Sequence, residues 1–172
     1  MIQVDLSKCT GCKQCESACA FFHTGRINNR LARIKVLNLY EIGIDGPVVC
    51  NQCKERYCMR CPEKALTIGA FGQVIVSHTL CNLCGACEKN CPIGAIELFN
   101  DIVFVCDLCG GKPKCVEACT EKAITWIVEE KEHTSLAVIK KETKKMNPSQ
   151  KRYFYLKKQG FEVRKKWRKA HA

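Results

Sequence analysis

A chain of 172 residues with 47% hydrophobic content can fold as one compact domain or as two small ones sharing a core. Sixteen residues are cysteines and only 8% are aromatic, so stability is expected to depend on metal or cross-links. No apolar run reaches membrane-spanning length, and Met1 passes straight into a strand pattern with no room for a signal peptide. A reducing, cytoplasmic setting with metal-bound thiols is therefore expected instead of disulfides.

The chain opens on an alternating pattern over residues 2–6, read as a short strand, which runs into Cys9-x₂-Cys12-x₂-Cys15-x₃-Cys19 with Gly11 in its loop. Ala20 follows the last cysteine, then Phe21-Phe22-His23-Thr24-Gly25 and an arginine-rich stretch over residues 26–33. Leu31, Ile34, Val36, Leu37 and Leu39 predict a strand, ended by Gly43 and Asp45-Gly46-Pro47. The second block is Cys50-x₂-Cys53-x₄-Cys58-x₂-Cys61-Pro62, and the third is Cys81-x₂-Cys84-x₂-Cys87-x₃-Cys91-Pro92. The fourth, Cys106-x₂-Cys109-x₅-Cys115-x₃-Cys119, holds Gly110-Gly111-Lys112-Pro113-Lys114 in its wide gap. After three of the blocks a turn and a short strand recur, over residues 62–68, 92–98 and 120–126; strands over 74–76 and 102–105 lead into the later blocks. The unit is strand, cysteine loop, short helix, strand.

The third block carries the chemistry most plainly. Its spacing is the one by which [4Fe–4S] clusters are held: three thiolates three residues apart bind one cube, and the fourth, Cys91, turned away beside Pro92, completes a neighbouring one. Zinc is the structural alternative, because paired C-x₂-C motifs also build zinc ribbons. Taken alone, the looser second and fourth blocks fit either metal. Their company favours iron–sulfur, since four quartets account for all sixteen cysteines. Charge follows the same division. Residues 1–128 carry 14 Lys and Arg against 12 Asp and Glu, and residues 129–172 carry 14 against 5. With each oxidised cluster at about −2, the loaded body would be acidic and the extension strongly basic.

The four-block order resembles the four-cluster electron-transfer subunits of complex iron–sulfur oxidoreductases, over about residues 1–128. The resemblance implies an α+β fold of two interleaved bacterial-ferredoxin-like (dicluster) units with short strands and helices, the inner one about 47–100 inserted in the outer one; the change of composition at residue 129 adds a basic C-terminal helical extension over 129–172. It implies four [4Fe–4S] clusters with crossed ligation. One would take Cys9, Cys12, Cys15 and Cys119, and its mate Cys106, Cys109, Cys115 and Cys19. The inner pair would take Cys50, Cys53, Cys58 and Cys91, and Cys81, Cys84, Cys87 and Cys61. Only Met59 and Arg60 separate Cys58 from Cys61, where that family has three residues, so Cys61 departs from the pattern. The continuation of the first block, from Cys9 through His23-Thr24-Gly25 to the Arg30-Leu31-Ala32-Arg33-Ile34 stretch, resembles the small subunits that accompany tungsten-dependent aldehyde oxidoreductases. That implies a tungsten- or molybdenum-pterin catalytic partner and a flavin- or ferredoxin-type electron partner.

Outside the quartets, His23 reads as a hydrogen-bonding or interface residue. Arg26, Arg30 and Arg33 read as a face that docks a partner or raises a nearby cluster's potential, or as a plain solvated face, and Tyr57, Phe71, Phe99 and Phe104 as cluster-shielding core. In the extension, Asn147 predicts an N-cap with Pro148 at the first helical position, while Gly160 argues against a continuous helix. Tyr153, Phe154, Phe161 and Trp167 among Lys and Arg predict a docking arm, onto a partner or a second copy, in preference to a membrane anchor or a nucleic-acid-binding tail. Fully ligated clusters leave no iron open to substrate. The expected role is single-electron transfer without catalysis, in anaerobic metabolism; subunits of a hydrogenase, formate dehydrogenase or carbon monoxide dehydrogenase are the alternatives within that class.

Overall fold

The structure, a computed structural model, describes residues 1–127 and 135–170; the expected boundary at 128/129 lies outside the described residues. The fold is α+β and built from four two-stranded antiparallel sheets. Strand β1 (Ile2–Val4) pairs with β8 (Ile124–Trp126), tying the start of the cysteine-bearing region to its end. Strand β4 (Leu66–Ile68) pairs with β5 (Val74–Val76). The other two pairs are β2 (Lys35–Leu39) with β3 (Ile44–Val48), and β6 (Glu97–Phe99) with β7 (Ile102–Phe104). These two ribbons flank the stretch that carries the second and third cysteine blocks.

Three helices follow cysteine loops: α1 (Gln14–Thr24), α2 (Ala86–Asn90) and α3 (Lys114–Glu117). Helix α1 buries Cys15, Glu16, Cys19 and Ala20, one face at helical spacing, and stops at Gly25, whose amide returns to the Phe21 carbonyl at 2.8 Å. Where α1 has eleven residues, the second block makes only a 3₁₀ turn over Tyr57–Met59. The extension forms α4 (Ala137–Glu142) and α5 (Pro148–Ala170).

The expected cap is present. The Gln150 amide donates to Asn147 Oδ1 at 2.9 Å and Gln150 Oε1 accepts from the Asn147 amide at 3.0 Å, a reciprocal capping box ahead of Pro148. Two other expectations are corrected. Asp45-Gly46-Pro47 does not end the strand; it lies within β3, and the turn is made by residues 40–43. Proline is tolerated there because a two-stranded ribbon has free edges. Gly160 does not interrupt α5, which runs through it for 23 residues. A Cβ at Gly160 would lie 2.8 Å from Ile42 Cδ1 and 3.3 Å from Ile44 Cγ2. One at Gly46 would lie 2.7 Å from Leu156 Cδ1. Helix and ribbon thus cross at a pair of glycines, and close packing outweighs the propensity penalty of about 1 kcal/mol.

Two apolar clusters result. One gathers Ile2, Ala20, Ala32, Ile34 and Ile124 around Cys15, Cys19, Cys106 and Cys115. The other gathers Leu39, Ile44, Ile93, Ile96 and Val103 around Cys58 and Cys91, and takes in Leu136 and Leu156 from the extension.

Candidate metal centres

All four blocks bend the backbone at the same place. The residue before the second cysteine lies in the left-handed region in each: Gly11 at φ 69°, Gln52 at 51°, Leu83 at 60° and Leu108 at 56°. Three of these carry side chains, at on the order of 1–3 kcal/mol each for such a conformation. In three blocks the bend lets that residue's amide donate to the first cysteine's sulfur: Gly11 to Cys9, Gln52 to Cys50 and Leu108 to Cys106. Such donors favour the thiolate.

The thiols then gather across blocks. Cys9, Cys12 and Cys15 line one small pocket with Cys119 of the fourth block. Cys106, Cys109 and Cys115 line another with Cys19 of the first. Cys50, Cys53 and Cys58 have Cys91 as their electrostatic neighbour, and Cys87 has Cys81 and Cys61. Cys61 therefore sits beside thiols of the third block despite its short spacing. Cys84 is exposed, as is Cys12. Cys115 neighbours Cys15, and Cys106 neighbours Cys50, so three of the groups adjoin one another.

None of the sixteen cysteines is in a disulfide. Burial pushes Cys15, Cys50, Cys58 and Cys115 up to about 12 and Cys87 to about 11, and neighbouring thiolates push in the same direction. Cys106 lies well above the ordinary thiol value for the same two reasons. Several thiols crowded into a desolvated site can all ionise only around strong positive charge, so the donor set fits a metal centre of soft sulfur ligation.

The surroundings hold these loops by repeated devices. The glutamate after the third cysteine accepts a strand amide in two blocks: Val36 N to Glu16 Oε1 at 2.7 Å, and Leu98 N to Glu88 Oε2 at 2.6 Å. Backbone amides also reach the fourth cysteines, Arg33 N to Cys19 Sγ and Ala95 N to Cys91 Sγ, both at 3.3 Å. His23 lies with Nε2 3.8 Å from Cys109 Sγ and 3.5 Å from Asp107, which in turn meets Arg33 at 2.5 Å. His23 thus has the hydrogen-bonding surroundings expected of it. Arg30 stays exposed but is paired on the chain's own surface, with Glu97 at 2.7 Å and over the Phe99 ring at 4.3 Å, while Arg33 is half-buried against Asp107. Tyr57 and Phe104 are buried and Phe99 is half-buried, but Phe71 is 45% exposed, against Trp126 and Gly111, and is not core.

Sequence reasoning missed the part played by the extension. Lys140, Thr143, Lys151 and Arg152 donate to backbone oxygens of residues 88–94, the segment bearing Cys91. Their only sequence signal was a run of basic residues, which reads as a solvated face. The docking reading of this segment is corrected in part: Tyr155, Leu156, Val163 and Trp167 pack on the chain's own body, while Tyr153 and Phe161 stay exposed.

Comparison with known proteins places these features. Models of 4Fe–4S binding domains match residues 74–97 and 1–27. The chain is 41% identical over 124 residues to the polyferredoxin-like subunit of an aliphatic sulfonate oxidoreductase from Pyrococcus furiosus, covering 70% of this chain and 71% of that protein. It is 33% identical over 145 residues to a putative electron transport protein of Escherichia coli, covering 76% and 90%. It is also 33% identical over 151 residues to an uncharacterised ferredoxin of Methanocaldococcus jannaschii, covering 84% and 88%. Its sixteen cysteines, in four groups, hold four [4Fe–4S] clusters.

Proposed function

Because the chain belongs to the polyferredoxin-like 4Fe–4S electron-transport proteins, we propose that it is the electron-transfer subunit of an oxidoreductase complex and has no catalytic site of its own. The observation that carries this is the gathering of thiols in quartets. Four cysteines per cluster leave no iron position for a substrate. When bound, a [4Fe–4S] cluster supplies reversible one-electron chemistry.

The chain's own residues hold and screen each site. The quartets are Cys9, Cys12, Cys15 and Cys119; Cys106, Cys109, Cys115 and Cys19; Cys50, Cys53, Cys58 and Cys91; and Cys81, Cys84, Cys87 and Cys61. Supporting this are the two shared cavities and the electrostatic neighbours of Cys91 and Cys61. The first three quartets adjoin in that order, through Cys15 beside Cys115 and Cys106 beside Cys50, and we place the fourth beyond the third. The two terminal quartets are the ones with exposed thiols, Cys12 and Cys84, and these mark the faces a redox partner reaches. The inner unit, about 47–100, is nested in the outer one, in keeping with β1 pairing β8 across it.

The partner we propose is a tungsten- or molybdenum-pterin oxidoreductase of the aldehyde-oxidising kind, with a flavin- or ferredoxin-type protein at the other end, in the cytoplasm. Among the described residues no helix is long and apolar enough to cross a membrane. The first test is composition: anaerobically purified protein should contain about sixteen irons and sixteen sulfides. Stoichiometric zinc without broad visible absorption overturns the reading. Replacement of Cys19 by Ser should alter the cluster of Cys106, Cys109 and Cys115 in electron paramagnetic resonance. A change confined to the cluster of Cys9, Cys12 and Cys15 overturns the crossed ligation. Isolation of the native complex, with pterin and metal analysis of its largest subunit, tests the partner.

A further inference from the structure

The C-terminal extension wraps one cysteine in particular. Helix α2 ends at Asn90 and the chain turns at Cys91, whose amide closes the helix onto the Cys87 and Glu88 carbonyls; the carbonyls of residues 88–90 lie at the negative end of that last turn. The extension supplies further donors. Lys151 Nζ reaches Lys89 O at 2.8 Å and Glu88 O at 3.2 Å, and Lys140 Nζ reaches Asn90 O at 2.6 Å and Asn90 Oδ1 at 3.1 Å. Beyond the cysteine, Thr143 Oγ1 donates to Pro92 O and Arg152 to Gly94 O, both at 2.9 Å.

Lys151 is only 2% exposed, a rare state for lysine, and its ammonium is fixed there by two carbonyls. Lys140 also lies over the Tyr57 ring at 5.2 Å. Burial pushes the Lys151 amine below the ordinary lysine value, while Cys91 and the Glu88 carboxylate pull it back up. Lys140 is lowered by burial and then by Lys151, and raised by Cys91 and Cys53. The Glu88 carboxylate is the acidic neighbour of Lys151, and its Oε2 accepts from the Leu98 amide. The corresponding cysteine of the first block, Cys19, has Arg33 and Asp107 as its charged neighbours.

Resting on the ligand reading above, we infer that Lys140 and Lys151 are potential-setting residues: they fix two positive charges beside the quartet of Cys50, Cys53, Cys58 and Cys91 and favour its reduced state over that of the other three. Adding an electron to an anionic centre is easier beside fixed cations, more so where water is excluded. The extension thereby sets a step in potential along the chain as well as covering it.

The test is a redox titration of the anaerobically purified full chain, followed by electron paramagnetic resonance. Cys91→Ser first identifies the signal of that quartet. In Lys151→Met and Lys140→Met this signal should move to lower potential by at least tenfold in its reduced-to-oxidised ratio, 59 mV for one electron. The remaining signals should stay in place, and Lys151→Arg should restore the native value. An unmoved signal with full iron content overturns the inference. Loss of one cluster's iron in both methionine variants makes the lysines merely structural and overturns it too; half-exposed Lys140 is the variant expected to fold in any case. If Cys91→Ser changes no signal, the ligand reading itself fails, a separate result.

Discussion

Around Cys19 the chain encloses its thiols with elements of the same half: the eleven-residue α1, the β1–β8 pair, and Ala20, Ala32 and Ile34, each at most 1% exposed. Around Cys91 the local elements are a five-residue helix and a three-residue 3₁₀ turn. Elements so short present less than one full apolar stripe, and the cluster around Cys91 is completed by Leu39 and Ile44 of the β2–β3 ribbon and by Leu136 and Leu156 of the extension. No described residue of 135–170 belongs to the outer cluster. The comparison teaches that a cluster-binding loop brings ligands but little core, and that core can be lent from far along the chain.

Iron removal is the largest perturbation and should affect both halves, because each apolar cluster is built around cysteines. Amide exchange should rise across residues 1–127 on anaerobic chelation. A half that kept its protection would hold an independent core, and the comparison would break there.

Next in size is Leu156→Ala. Leu156 is 1% exposed between α5 and the inner cluster, so its truncation should destabilise the protein by about 2–5 kcal/mol. Denaturant titration should show two of the four clusters bleaching early while the outer ones hold. Equal loss from both halves would mean they unfold as one unit.

Gly160→Leu tests the crossing of α5 over the β2–β3 ribbon. Leucine improves helix propensity by up to about 1 kcal/mol. It also places a side chain against Ile42 and Ile44, where even a Cβ would lie 2.8 Å from Ile42 Cδ1. Overpacking of about 1–3 kcal/mol should win, and the variant should melt lower than the parent.

The smallest effect is at the exposed edge of the same crossing. The Tyr153 hydroxyl, and then Lys157, hold the Glu41 carboxyl below its ordinary 4.5. A lowered carboxylate value stabilises the folded state above the unfolded value, and that contribution is lost as pH falls through the folded one. Glu41→Gln should loosen the α5 amides slightly at neutral pH, with the gap to the parent closing only as pH falls below the ordinary 4.5. A gap independent of pH would assign the effect to shape instead of charge.

Local chemistry made much of this legible. Cysteine spacing announced the four loops, period-two patterns placed the short strands, and Asn147-Pro148 marked the start of α5 because cap, turn and alternation are all decided within a few residues. What no local window held were the unions of distant segments. Asp45-Gly46-Pro47 reads as a turn and Gly160 as a break, until helix and ribbon meet at those two glycines. Cys61 departs from its pattern, yet the fold sets it beside Cys87. Lys151 looks like one more solvated cation in a basic run, and only a partner 62 residues away, the Lys89 carbonyl, makes it a buried one. Propensity and spacing act along the chain. Desolvation and close packing act through space, and they decided where the extension lies and which cysteine it surrounds.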